Sequence, residues 1–297
     1  MISISTVDIA VSMEPQRGGK IASIRHRSTG REWLESSSSP LEGALEDDQS
    51  FDDGDMCGWD EMMPTIEECR YPDSDIWLGD HGELWRQAWA VTSSDATSIT
   101  TLVRDEVLGY RVERRLRVVG AGLSVEYRVT SEVDVDRSIL WAAHPLFAHR
   151  RGTRIILNGL ENMGPPTSWP EGTWTDDGWS LDQFAAGQSQ KLFARLTTAD
   201  ASVTLVDPDG ARLRMRWNRN DAPYLGIWLD NCSLSRHPVI ALEPTNAPCD
   251  ALDVAVEAAR PDSPWTLRSR EHRVWRVDLE LSETAVTSLN GSHHHKE

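Results

Sequence analysis

From Tyr110 to Val118 the chain alternates with a period of two, Tyr110-Arg111-Val112-Glu113-Arg114-Arg115-Leu116-Arg117-Val118. After Gly120-Ala121-Gly122 it alternates again, in Leu123-Ser124-Val125-Glu126-Tyr127-Arg128-Val129. A period of two gives an extended strand one dry face and one wet face, and no helix can collect such residues on one side. The glycine turn between the runs predicts a hairpin. Ile2-Ser3-Ile4-Ser5-Thr6-Val7-Asp8-Ile9 alternates in the same way, and residues 202–206, 211–217, 224–229 and 272–281 carry further runs punctuated by turns such as Asp207-Pro208-Asp209-Gly210. The arginine-rich positions are expected to form solvated sheet surface. These features predict an all-β chain built as a large antiparallel sandwich. Helical signal is confined to one or two short segments. The clearest has Asp250 as N-cap, then Ala251, Leu252, Ala255, Val256 and Ala259 on one side, stopped before Pro261.

The 297 residues show no internal repeat and no break in composition, so residues 1–285 are expected to form a single domain followed by a polar tail, 286–297. The histidines of that tail, His293, His294 and His295, are excluded from any site. A formal net charge of −17 argues against nucleic acid and against an anionic membrane surface, which both attract positive charge. No apolar stretch approaches the roughly 18 residues of a membrane span. Met1-Ile2-Ser3-Ile4-Ser5 lacks the basic start and apolar core of a signal peptide, and a cytoplasmic protein is expected. Cys57, Cys69, Cys232 and Cys249 have no C-x-x-C spacing and are expected as free thiols. Residues 36–55, serine-rich and then acidic, and residues 162–178, rich in proline and tryptophan, read as long exposed loops.

Three short pieces carry the chemistry: Asp80-His81-Gly82-Glu83-Leu84-Trp85, Trp141-Ala142-Ala143-His144-Pro145-Leu146-Phe147 and Ile240-Ala241-Leu242-Glu243-Pro244. Each sets a histidine or a glutamate against apolar, strand-like sequence, where it is expected to face a cleft rather than bulk water. Two imidazoles and a carboxylate converging on a cleft can move protons on and off a neutral substrate near neutral pH. Thirteen tryptophans are about three times ordinary usage. Most suit the core of a broad sheet, but an indole also stacks on the C–H face of a sugar ring. Trp59, Trp85, Trp169, Trp174 and Trp228 lie beside turns or candidate site residues.

With these pieces, and with Arg17-Gly18-Gly19-Lys20-Ile21-Ala22-Ser23-Ile24, Ser28-Thr29-Gly30-Arg31-Glu32-Trp33-Leu34 and Gly58-Trp59-Asp60-Glu61-Met62-Met63-Pro64-Thr65, the chain resembles the aldose 1-epimerase (galactose mutarotase-like) family over about residues 10 to 280. The resemblance implies a β-supersandwich and an isomerase that interconverts the α and β anomers of a free sugar without a cofactor. It implies Glu243 as general base at the C1 hydroxyl, His144 as general acid at the ring oxygen, and His81 as a sugar-binding residue. Trp59, Asp60, Glu61, Arg86 and Trp228 are further candidates for substrate binding. The asparagine–arginine pair of many galactose mutarotases has no counterpart near residue 64, and Arg86 is the candidate for its cationic role.

Other readings stay open at this point. His81, His144 and Glu243 would make a two-histidine, one-carboxylate metal site, although no H-x-H or H-x-x-x-H spacing supports a metal. A sugar-binding protein without turnover would keep the same fold. An anionic sugar would need paired arginines, for which Arg25, Arg27, Arg86, Arg150 and Arg151 are candidates. Nothing in the sequence decides between a monomer and a homodimer.

Overall fold

The computed structural model describes residues 1–36, 51, 56–162, 173–175, 177–261 and 263–283. Two large sheets carry the fold, and neighbouring strands in both run antiparallel. The first has nine strands, in the order Ile2–Ser5, Ile9–Glu14, Lys20–His26, Trp59–Met62, Ala142–Ala148, Val239–Thr245, Tyr224–Asn231, Gln188–Leu196 and Leu160–Asn162. The second has ten: Trp174–Thr175, Gly178–Trp179, Arg154–Asn158, Ser202–Val206, Arg212–Trp217, His272–Ser282, Gly122–Ser131, Tyr110–Val119, Ser98–Asp105 and Ala90–Ser94. This is the predicted antiparallel sandwich, with one short helix, Leu252–Glu257, among the described residues.

The predicted hairpin forms between Tyr110–Val119 and Gly122–Ser131, closing at the Val119–Gly122 pair, with Gly120 at φ +56°. The N-terminal alternating run does not stay one strand. It turns at residues 6–8, where Thr6 Oγ1 accepts the N–H groups of Asp8 and Ile9, and the chain pairs back on itself. Side chain–backbone bonding of this kind offers the backbone an alternative to the sheet ladder.

The inner faces of the sheets meet in a dry core. Tyr127, Trp141, Trp265 and Trp275 form an aromatic cluster there, with ring centroids 4.7 to 5.9 Å apart. Arg114 departs from the expectation of a solvated arginine face. It occupies an inward slot of the Tyr110–Val119 strand, is fully buried, and donates to Glu61 Oε1 at 2.9 Å. The Asp250 cap also departs from expectation. Ala251 occupies the N-cap position without a side-chain hydrogen bond, and Thr65 Oγ1 accepts the N–H of Leu252 instead. The Asp250 carboxylate points to Lys191, an ion pair that wins over a local cap. The four cysteines are free, as expected. The two long loops fall largely outside the described residues, as do Trp169 and the C-terminal tail.

Candidate active site

Strand register assembles a row of side chains across the centre of the nine-stranded sheet. Ile21 pairs with Trp59, which sets Lys20 opposite Asp60, and His144 pairs with Asp60. Ala142 pairs with Thr245 and Leu146 with Ala241, which sets His144 directly across from Glu243; Gly226 pairs with Glu243. Directly opposed residues share a face, so Lys20, Asp60, His144, Glu243 and Gly226 line up over five neighbouring strands. His144 Nε2 lies 3.8 Å from Glu243 Oε1. Pro145 and Pro244 follow His144 and Glu243, and the ladder skips the positions between the 142–245 and 146–241 pairs. Proline has no N–H to donate, so these central strands tolerate it only where the ladder is open.

His81 stands on a loop, not on the strand-like run its sequence suggests, because the left-handed turn at His81-Gly82 breaks the chain out of extended structure, and it covers the row. Its φ is +60°, a left-handed conformation that costs a residue with a Cβ about 1–2 kcal/mol. The next residue, Gly82, also has positive φ, and a Cβ there would collide with the Met63 carbonyl. Only glycine allows that close approach. The His81 N–H donates to the Ile66 carbonyl at 2.6 Å, and its ring lies 5.2 Å from that of His144, centroid to centroid. His81 Nδ1 is 2.9 Å from Asp80 Oδ1, and Phe51 stacks on the imidazole at 3.9 Å. The resulting pocket has a volume of about 340 Å³ and is lined by Met56, Ile66, Glu67, Asp80, His81, His144, Lys191, Trp228, Leu234, Glu243 and Asp250. That is the lower end of small-molecule sites, which run from about 300 to 1,000 Å³. A larger groove of about 990 Å³ on the ten-stranded sheet presents sheet-surface arginines and carboxylates such as Arg115, Arg128, Glu113 and Asp278, and no imidazole.

No family model and no curated protein matches this chain in sequence. Solved structures do match in shape. A galactose mutarotase related enzyme from Lactobacillus acidophilus superposes with a TM-score of 0.71 at 16% identity, covering 95% of this chain and 97% of that one. A galactose mutarotase-like protein from Lactobacillus casei gives 0.69 at 16% identity, covering 95% of this chain and 100% of that one. A further such protein, from Clostridium acetobutylicum, gives 0.70 at 12%, covering 95% of both. The chain has the galactose mutarotase-like fold.

Within this mutarotase-like fold the sequence-predicted residues separate into two groups. Glu243, His144, His81 and Trp228 converge on the pocket. Asp60 belongs to the same row but is buried behind His144, bound by Lys20 Nζ at 2.6 Å. Trp59 and Glu61 do not reach the pocket. They sit one residue to either side of Asp60 on the strand and therefore face the other way, into the core. Glu61 accepts from Arg114, Tyr127 and Trp141 at 2.9, 2.8 and 3.0 Å, a fully satisfied structural carboxylate. Arg86 lies over the ring of Trp85, 4.9 Å from its centroid, and is absent from the pocket lining. Trp85 packs edge-on against Phe51, one ring removed from His81.

Lys191 and Asp250 are pocket residues that the sequence reading missed. Lys191 Nζ lies 2.6 Å from Glu243 Oε2 and donates to Asp250 Oδ1 at 2.6 Å. Burial acts to lower the Lys191 pKa, but the two carboxylates outweigh it and the ammonium is held above its usual range. Burial raises the Glu243 pKa, with Lys191 offsetting part of the rise and Asp250 adding to it. His144 is held well below the ordinary imidazole range, first by burial and then by His81, Lys191 and Lys20. Among the described residues, no cluster of three or more His, Cys, Asp or Glu side chains has the geometry to hold a metal ion. No helix among the described residues is long and apolar enough to cross a membrane.

Proposed function

We propose that the protein is an aldose 1-epimerase-type isomerase that interconverts the anomers of a free sugar, with Glu243 as base and His144 as acid. The observation that carries this reading is the opposition of Glu243 and His144 across neighbouring strands, 3.8 Å apart at the floor of a sugar-sized pocket. Ring opening moves the C1-hydroxyl proton to Glu243 while His144 delivers a proton to the ring oxygen and the C1–O5 bond breaks. The open-chain aldehyde rotates about C1–C2, and closure on the other face runs the two transfers backwards. His81 supplies a polar ceiling for sugar oxygens, and Trp228 offers an indole face to the ring's C–H groups.

Proton bookkeeping makes this pair suited to a reversible isomerisation. Glutamate with imidazolium, and glutamic acid with imidazole, each hold one proton, and the reaction converts one form into the other. Burial raises the proton affinity of Glu243 and lowers that of His144, and both shifts act against the glutamate–imidazolium form that the two groups would favour in water. The charge of the pocket supports a neutral sugar. Lys191 is already shared by two carboxylates, and Arg25, Arg27, Arg86, Arg150 and Arg151 are all absent from the lining.

The test is anomer exchange measured by NMR magnetisation transfer on a panel of free hexoses, pentoses and sugar phosphates, corrected for the buffer rate. Exchange is expected with neutral sugars. The kcat/KM profile is expected to be a narrow bell, falling in acid when the pair gains a second proton and in alkali when it loses its only one. A profile flat from about pH 4 to 9, a span that brackets ordinary glutamate and histidine titration, excludes this pair as the proton carrier.

A further inference from the structure

Lys191 reaches the pair by an unusual route. It stands on the Gln188–Leu196 strand, two strands away from Glu243, with the Tyr224–Asn231 strand between them. In the register Lys191 opposes Trp228 and Gly226 opposes Glu243, so the lysine side chain must run diagonally over Gly226. A Cβ at residue 226 would lie 2.8 Å from Glu243 Oε2 and 3.3 Å from Lys191 Cε. The glycine is the gap through which the ammonium meets the carboxylate. That contact involves one oxygen only: Oε2 faces Lys191, and Oε1 faces His144. On its far side the ammonium is tied to Asp250, whose backbone carbonyl also accepts the N–H groups of Ile66 and Glu67. The loop that carries Asp250 is therefore anchored independently of its carboxylate.

We propose that Lys191 is a positioning residue for the proton-transfer pair: it reserves Oε1 of Glu243 as the basic oxygen and, balanced by Asp250, sets the pH window in which the pair holds a single proton. The inference rests on the isomerase reading above. Other charged groups also face the pair. His81 lies above it, Lys20 with Asp60 lies along the row, and Glu67 and Asp80 line the pocket. Lys191 differs from them in standing 2.6 Å from the reacting carboxylate. Asp250 differs in binding that same ammonium at 2.6 Å with the opposite charge.

The signs give the test. A neighbouring cation favours the ionised carboxylate and disfavours the imidazolium, so its removal strengthens proton binding by both partners. Lys191→Met is expected to move both limbs of the kcat/KM profile to higher pH, by about 1–2 units. Asp250→Asn removes a negative charge and is expected to move them to lower pH. Lys191→Arg keeps the charge and should leave the limbs near their wild-type positions, although the bulkier guanidinium is expected to lower the rate at every pH. Opposite shifts are not produced by a merely structural role, which lowers the rate at every pH. Superimposable profiles, or shifts of the same sign in Lys191→Met and Asp250→Asn, overturn the inference while wild-type exchange leaves the isomerase reading standing. If Lys191→Met does not fold, Asp250→Asn decides alone: a downward shift supports the proposal and an unmoved profile overturns it. Absence of exchange in the wild type on every sugar overturns the isomerase reading, and this inference with it.

Discussion

Glu243→Gln is expected to lower catalysed anomer exchange by about 10²–10⁴-fold, the usual contribution of a positioned acid–base group. The amide has the shape of the carboxylate and fits the same space over Gly226, but it cannot take up the C1-hydroxyl proton. The substitution leaves Lys191 with Asp250 as a partner at 2.6 Å, so it does not strand a buried ammonium. The fold should therefore survive, as an unchanged circular-dichroism spectrum and cooperative melt will report. Full exchange activity in a folded Glu243→Gln protein would eliminate Glu243 as the base. His144→Asn belongs beside it, and there kcat should fall more than KM rises, because the imidazole is asked to act in the transition state.

How far the sequence led to this point depended on whether a face of the sheet was wet. In the Tyr110–Val119 and Gly122–Ser131 hairpin one face meets solvent, and the alternation was legible residue by residue. Arg114 is the exception: it stands in step with Val112 and Leu116, but its charge led it to be read as solvated surface, and it is fully buried. In the centre of the nine-stranded sheet both faces are covered. Every residue of Trp59–Met62 and Val239–Thr245 is buried. Parity there has nothing to contrast with, so Trp59, Asp60 and Glu61 could not be assigned to faces, and two of the three point away from the site. His144 and Glu243 were legible because an isolated ionisable group against an apolar run is costly without a purpose; His81, flanked by Asp80 and Glu83, was legible through the family resemblance of its segment.

Lys191 was hidden differently. It stands between the polar Gln188-Ser189-Gln190 and the apolar Leu192-Phe193-Ala194, with Arg195 three residues on from Leu192, and reads as an ordinary basic residue at a strand end. A different signal was available: the chain has three lysines, Lys20, Lys191 and Lys296, and the other 27 of its 30 basic residues are arginine (30 − 3 = 27). Two of those three lysines stand in or beside the site. A flexible stem with a compact charge suits the reach across Gly226, where a planar guanidinium is bulkier. Asp250 was misread because a local rule, Asp before a helix, competed with a partner 59 residues away along the chain. Phe51, set among serines and aspartates, carried no signal at all.

The largest stability effect is expected far from the pocket, at Arg114→Met. In the wild type the Glu61 carboxylate is fully buried and bound by Arg114, Tyr127 and Trp141. Arg114 also donates to the Gly19 carbonyl and stacks over Trp89, 4.6 Å from the ring centroid. This network crosses the core from one sheet to the other. Methionine replaces much of the lost volume, yet it leaves Glu61 without a cation, and an uncompensated buried charge costs about 3–5 kcal/mol. Burial already raises the Glu61 pKa, and Arg114 is the largest influence opposing that rise. Without Arg114 the folded-state pKa rises further above its unfolded value. Such a group favours the folded state fully below the unfolded pKa, and that contribution disappears as pH climbs through the folded one. Chemical denaturation of Arg114→Met should accordingly show a deficit that is smallest near pH 4 and grows toward neutrality, with pH 4 taken as close to the unperturbed glutamate value of about 4.3. Adding Glu61→Gln should recover part of the loss at neutral pH, since it removes the stranded charge and keeps one carbonyl acceptor for Trp141, while the Tyr127 hydroxyl can turn to accept from the amide NH2. If Arg114→Met unfolds with wild-type stability at pH 7, the Glu61–Arg114 pair is not the tie between the two sheets that its burial implies.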